Sequence, residues 1–260
     1  MHRTPRLPCV PVLRIGGNRL SEPGLLHGAV QQVRAAAEAS SPVVVVAALR
    51  GVEPALERML RPAPAGSRER GFEAGLDELH ARHVTVLEAV AAGRPLRVAR
   101  EDFARQMRRL RVRLEHAADQ GEIDSEGRDE VVAAGGRLAA PLFVAALAAA
   151  GLEAEVVDAI EVLQSHGPPG SSDLDLAATA ALARARLLRP GAPVAVVPGG
   201  LAGDERGGAR RLGPRGSARA AAALAAALNR VDPAEARGPA PALEARWNGA
   251  GPPRSHAAGR

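Results

Sequence analysis

The chain has 260 residues, a formal net charge of +5, 46% apolar side chains and a single cysteine, Cys9, so an internal disulfide framework and a multi-cysteine zinc site are excluded. Every basic residue is an arginine, which rules out Schiff-base and general-base lysine chemistry, and the excess of Ala, Arg, Gly and Pro with no Tyr reads as coding bias rather than as a nucleic-acid signature. No apolar run reaches the ~20 residues of a spanning helix, and the Pro- and Arg-containing start lacks a secretory core, so a soluble, cytoplasmic chain with room for a sizeable core is expected.

The first predicted element is a strand at Val12 that ends in Gly16-Gly17 and leads into a helix, with Ser21 as candidate N-cap and Pro23 in the first turn. Adjacent glycines let backbone amides approach a ligand, and a helix N-terminus favours an anion, so phosphate is the natural guest. The same pattern also fits an ordinary strand-to-helix turn. Leu25, Leu26, Val30, Val33 and Ala37 recur at helical spacing, and Val43 to Val46, apolar on both faces, predicts a central parallel strand. A loop from Ala47 leads to a short helix at Pro54 to Leu60, and Pro62, Pro64, Gly66 and Ser67 begin an Arg-rich linker.

From about Gly71 to Ala118 two helices are predicted, separated by Gly93-Arg94-Pro95. Phe103, Met107, Leu110 and Leu114 of the second recur at a/d spacing, with Arg105, Arg108, Arg109, Arg111 and Arg113 around them. Without interleaved aromatics, and with Glu101, Asp102, Glu115 and Asp119 nearby, these arginines read as a solvated face of a helical hairpin. His80 and His83 lie three apart, but no third donor completes a metal set. Ser125 to Ala150 is a long apolar helical stretch, expected to be interrupted at Gly135-Gly136 and kinked or broken at Pro141. A strand at Glu153 to Asp158, a helix at Asp173 to Leu188 and a buried strand at Pro193 to Val197 follow. Pro198 to Ser217 is a Gly- and Arg-rich connection, and Ser217 is expected to cap an Ala-rich helix to about Asn229. Residues 231–260, with Trp247, read as a disordered tail.

Alternating strands and helices predict an α/β fold, a three-layer α-β-α sandwich with a mainly parallel sheet. The expected organisation is an N-terminal extension over 1–9, one domain over 10–230 with a helical insertion at about 70–120, and the tail. Ligands of such sheets sit at the carboxyl ends of the strands, where Gly16-Gly17, the Ala47 loop and the Gly199 to Ser217 loop converge.

Four blocks, in order, resemble the catalytic domain of an aspartokinase, of the amino-acid kinase superfamily. Arg14-Ile15-Gly16-Gly17-Asn18-Arg19 is similar to the family's Lys-Phe-Gly-Gly-Thr-Ser, and Val44 to Val52 to its Val-Val-Val-Ser-Ala-x-x-Gly-Val. Gly135-Gly136-Arg137-Leu138-Ala139-Ala140 resembles Gly-Glu-Arg-Leu-Ser-Ala. Val196 to Ala222 resembles Val-Val-x-Gly-Phe-x-Gly followed by Leu-Gly-Arg-Gly-Gly-Ser-Asp-x-Ser-Ala-Ala. The resemblance implies transfer of the ATP γ-phosphoryl to the β-carboxylate of aspartate with Mg2+. It places Arg14 at the catalytic phosphate-holding position, Gly16, Gly17, Gly199, Arg215, Gly216 and Ser217 around the nucleotide phosphates, and Ala47, Gly136 and Arg137 at the substrate.

The departures fall on those positions. Arg14 stands for a lysine, Ala47 for a serine, Gly136 for a carboxylate that holds the substrate amino group, and Ala218 for a carboxylate near the phosphates. The family's next strand and its Thr-Asp-Val-Asp-Gly loop have no counterpart after Val231-Asp232-Pro233, and its regulatory domains are not expected. The favoured reading is therefore an aspartokinase-like protein with weak or lost catalysis and a binding or partner role, needing ATP and Mg2+ only if active. A working carboxylate kinase, with a rebuilt site using Glu53, Asp158 or Asp204, is the alternative, and an arginine-rich binder the third. Nucleotide, a small amino acid, a homo-oligomer or a partner subunit remain open as partners; nucleic acid and membrane are not expected.

Overall fold

A computed structural model describes residues 9–61, 71–170, 172–189 and 191–229. The expected linker at 62–70, the extension up to residue 8 and the tail from residue 230, with Trp247, lie outside these. The chain runs through β1 (Val12–Ile15), α1 (Gly17–Ser21), α2 (Pro23–Ala37), β2 (Val43–Val46), α3 (Val52–Met59), α4 (Glu73–Val90), α5 (Gly93–Gln120) and α6 (Ser125–Ala149). It continues with β3 (Ala154–Val156), β4 (Gln164–His166), β5 (Asp173–Asp175), α7 (Leu176–Leu187), β6 (Val194–Pro198), β7 (Leu201–Gly203), β8 (Ala209–Arg211) and α8 (Gly216–Asn229).

The all-valine β2 is fully buried because both of its faces are covered. It pairs in parallel with β1 and β6, and β3 completes a four-stranded sheet in the order β1-β2-β6-β3. Leu13, Ile15, Val44, Val46 and Val196 belong to the core shared with α2 and α6, whereas Val43, Val45, Ala195 and Val197 belong to the core shared with α8. The period of two thus divides one sheet between two apolar layers, and each fully buried valine contributes roughly 1.5–3 kcal/mol.

α6 lies at the centre of the first layer, with α5, α4 and α3 packed on it. Asp124 caps it, its carboxylate accepting from the Gly127 amide at 2.7 Å. Contrary to expectation, the helix continues through Gly135-Gly136 and Pro141. It is buried along nearly its whole length, so tertiary packing outweighs local propensity. Contrary to the expectation that no stretch reaches this size, it is also long and apolar enough to cross a membrane by length and composition; its most apolar window is 83% buried inside the molecule, as in a core helix.

The helical hairpin forms as expected, with Gly93 and Pro95 inside the first turn of α5 rather than between the helices. Phe103, Leu110 and Leu114 are buried, and Arg111 pairs with Glu73 and Arg113 with Glu130, consistent with a solvated face. His80 and His83 both rest against Phe103, with centroids 5.7 and 5.3 Å away. No group of three metal-donor side chains occurs among the described residues.

Three local expectations are corrected. Ser21 does not cap α2; it ends α1, donating to the Gly17 carbonyl at 2.7 Å and accepting from the Arg50 amide at 2.9 Å. Asp173–Asp175 is a strand, and Asp175 caps a helix that starts at Leu176, accepting from Ala177 and Ala178. Ser217 lies inside α8, which begins at Gly216.

The Gly- and Arg-rich connection after β6 is also no loop. β7 and β8 form a hairpin, and with β4 and β5 build a second sheet in the order β5-β4-β7-β8. Asp204 turns the hairpin by accepting from the Arg206 and Gly208 amides at 2.9 and 2.7 Å. At the far end of the fold the Asn229 side chain accepts from the Val10 amide at 2.7 Å and donates to the Val10 carbonyl at 3.0 Å.

Candidate anion-binding site

The parallel ladder continues one step past its strands. The Ala47 amide donates to the Ile15 carbonyl at 2.9 Å, and the Gly199 amide donates to the Val46 carbonyl at 2.7 Å. The carboxyl ends of β1, β2 and β6 are thus joined side by side, and α8 starts beside them. The β7–β8 hairpin adds Arg211 to the same region, and the first turn of α3 adds Glu53.

These elements enclose a cavity of about 220 Å³. Arg14, Ala47, Glu53, Gly199, Gly200 and Arg211 line it, together with Gly213 to Ser217 and an α6 wall of Val132, Ala133 and Gly136. Arg14 shares a register row with Val45 and Val197, on the sheet face covered by α8. Its Nε donates to Ser217 Oγ at 3.1 Å, which fixes the guanidinium between strand and helix. Arg211 donates to Glu57 at 2.9 Å, and its backbone amide donates to the buried Asp129 carboxylate at 3.1 Å, which also accepts from the Gly170 amide at 2.8 Å. Arg215, just before α8, has φ +58, a left-handed conformation disfavoured for a residue with a Cβ.

The structure brings Arg14, Ala47, Gly136, Gly199, Arg215, Gly216 and Ser217 together on this cavity. Gly16 lies beside it, near the Arg14 guanidinium. Gly17 has a packing role: a Cβ there would stand 2.2 Å from the Ala48 carbonyl oxygen. Arg137 is not on the cavity; it pairs with Asp158 at 3.2 Å and ties α6 to the turn after β3. Of the carboxylates considered for a rebuilt site, only Glu53 lines the cavity, since Asp158 is held by Arg137 and Asp204 turns its hairpin and pairs with Arg210.

Arg211 and the Val132–Ala133 wall were not anticipated. The one available signal for Arg211 was the Asp-Glu-Arg-Gly-Gly sequence at 204–208, a hairpin turn between two short runs. Gly136 makes the tightest approach on the wall. A Cβ built on it would lie 2.7 Å from the Gly199 carbonyl oxygen, so the backbone after β6 occupies the place of a side chain.

The amino acid kinase family model matches residues 10–230. This chain belongs to the amino acid kinase family. Among solved structures of this family, E. coli aspartokinase III in complex with lysine and aspartate (T-state) aligns with a TM-score of 0.74 at 26% identity, covering 84% of this chain and 47% of that one. The same enzyme in complex with aspartate and ADP (R-state) aligns with a TM-score of 0.74 at 24% identity, again covering 84% and 47%. Clostridium acetobutylicum aspartate kinase shares the fold at TM-score 0.61 and 15% identity, covering 85% of this chain and 45% of that one. The chain thus spans about half the length of the aspartokinases it matches and has their amino acid kinase fold. No curated protein sequence matched it.

The kinase family implies ATP and Mg2+. Three guanidiniums on the cavity suit phosphate oxygens, but among the described residues Glu53 is the one carboxylate lining it. Magnesium is held through carboxylates and substrate phosphates, so this donor set does not supply a protein-held magnesium site.

Proposed function

We propose that the chain is an aspartokinase-like member of the amino acid kinase family in which transfer of the ATP γ-phosphoryl to aspartate is weak or lost, and which serves as an anion-binding or partner subunit. The observation that carries this is Gly136. Where the family's resemblance calls for a substrate-holding carboxylate, the α6 backbone sits so close to Gly199 that even a Cβ has no room. Losing one charge-stabilising group typically costs about 3 kcal/mol of transition-state stabilisation, and the positions of Gly136 and Ala218 have each lost one. Arg14 keeps a positive charge, but as a planar fork rather than a compact ammonium.

Glu53 favours a second reading. A carboxylate on the same cavity as Arg14 is what a rebuilt carboxylate kinase would need. Aspartate-dependent ATP turnover with magnesium, read as hydroxamate after trapping with hydroxylamine, separates the two. Absence of hydroxamate from a folded sample is expected. Turnover that needs aspartate and vanishes in Arg14→Ala establishes the rebuilt kinase instead.

A further inference from the structure

The cavity has a charge balance, a size and a wall, and together they define a ligand class. Arg14, Arg211 and Arg215 line it from three separate elements; Arg215 is exposed and Arg211 also pairs with Glu57, and among the described residues the one carboxylate on the cavity, Glu53, is exposed too. Guanidinium forks recognise carboxylates and phosphates in bidentate fashion, so arginines on three separate elements suit an anion that can be held at more than one point. The volume of about 220 Å³ accommodates a four-carbon acid.

The α6 wall distinguishes between anions. Val132, Ala133 and Gly136 present hydrocarbon and no side-chain acceptor, and the close approach of Gly136 to the Gly199 carbonyl leaves no space for one. A carbon chain can rest on this wall. An ammonium group there would meet guanidiniums and hydrocarbon, and Glu53 is the one side-chain carboxylate among the described lining residues to offset its desolvation.

We propose that the cavity binds a small dicarboxylate without an amine, of the size of succinate, in place of an amino acid. This rests on reading the site as one that retains anion binding with weak or lost phosphoryl transfer. Both carboxylates engage the arginines and the methylene carbons lie against Val132 and Ala133. Succinate and L-aspartate differ by the amine alone, so the pair isolates the discriminating group.

The test is calorimetric titration of the full chain with succinate, L-aspartate and inorganic phosphate at low ionic strength. Succinate is expected to bind about tenfold or more tightly than aspartate, and more tightly than phosphate. Arg215→Gly, which relieves a left-handed backbone while removing a guanidinium, is expected to weaken succinate binding about tenfold without lowering the melting temperature. Arg211→Gln should weaken it as well, and Glu53→Gln should strengthen it. Aspartate binding as tightly as succinate, phosphate binding more tightly than succinate, no heat with succinate, or a succinate affinity indifferent to both arginine variants each overturns the proposal. Aspartyl hydroxamate formation would strike the functional reading itself, whereas tight aspartate binding without turnover strikes only the ligand class.

Discussion

Arg14 and Ser217, 203 residues apart in sequence, meet where Nε of the arginine donates to Oγ of the serine at 3.1 Å. A charged donor from the first strand is thereby held against the first turn of the last helix. Removing either partner leaves the other with a polar group in a partly buried place. Ser217→Ala is expected to destabilise the fold by about 1–2 kcal/mol, and a double-mutant cycle with Arg14→Gln should give a coupling of about 1 kcal/mol. Urea denaturation of the four proteins measures it; strictly additive effects would show that the hydrogen bond contributes nothing.

Arg215 occupies a conformation that glycine adopts freely. Arg215→Gly should therefore raise stability by about 1 kcal/mol, the relief of the left-handed backbone outweighing the added freedom of the unfolded chain. A lowered denaturation midpoint would mean that the side chain contributes more than its backbone costs.

Gly136→Glu restores the family residue on paper, but the new Cβ would fall 2.7 Å from the Gly199 oxygen. The expected outcome is a loss of about 2 kcal/mol or more of stability with no gain of aspartate-dependent turnover. A stable, active Gly136→Glu protein would show that α6 yields at this point.

Burial lowers the pKa of His83 from 6.5 to about 4, with its Nδ1 near the Leu79 carbonyl and its ring stacked on Phe103. In the unfolded chain this imidazole takes up a proton near pH 6.5; in the fold it resists until about pH 4. The stability that depends on neutral His83 is thus fully present above pH 6.5 and is lost as pH falls towards 4, roughly 3 kcal/mol in all. His83→Leu should flatten this part of the stability curve between pH 7 and 4.5, leaving the carboxylate contribution. Parallel curves for wild type and variant would refute the assignment.

The first sheet is legible because its two central strands, β2 and β6, are apolar on both faces and set off by Gly and Pro, as in Pro42-Val43-Val44-Val45-Val46. Arg14, Gly16 and Gly199 are legible too, since they stand at the ends of β1 and β6. The second sheet was hidden. Its strands are three residues long, several carry polar groups, as in Gln164-Ser165-His166, and the pairs β4–β5 and β7–β8 join where Gln164 meets Gly203, 39 residues on. Arg211 went unnoticed with them. Gly135, Gly136 and Pro141 suggested a broken helix by local rules, but neighbours on every side of α6 keep it whole. Ser21 and Ser217 matched a capping pattern, yet each lies inside a helix that starts at a glycine, Gly17 or Gly216, and its hydroxyl meets Arg50 or Arg14.

The clasp between Asn229 and Val10 has a practical outcome. It brings the two ends of the described fold together at the amino end of β1, while the cavity opens at the carboxyl end, one strand length or roughly 13 Å away. A reporter or surface tether joined directly before Val10 or after Asn229 departs from the pole opposite the cavity. Two such fusions, one at each end, would report on the same pole, and an anchored molecule would present its arginines to the solution.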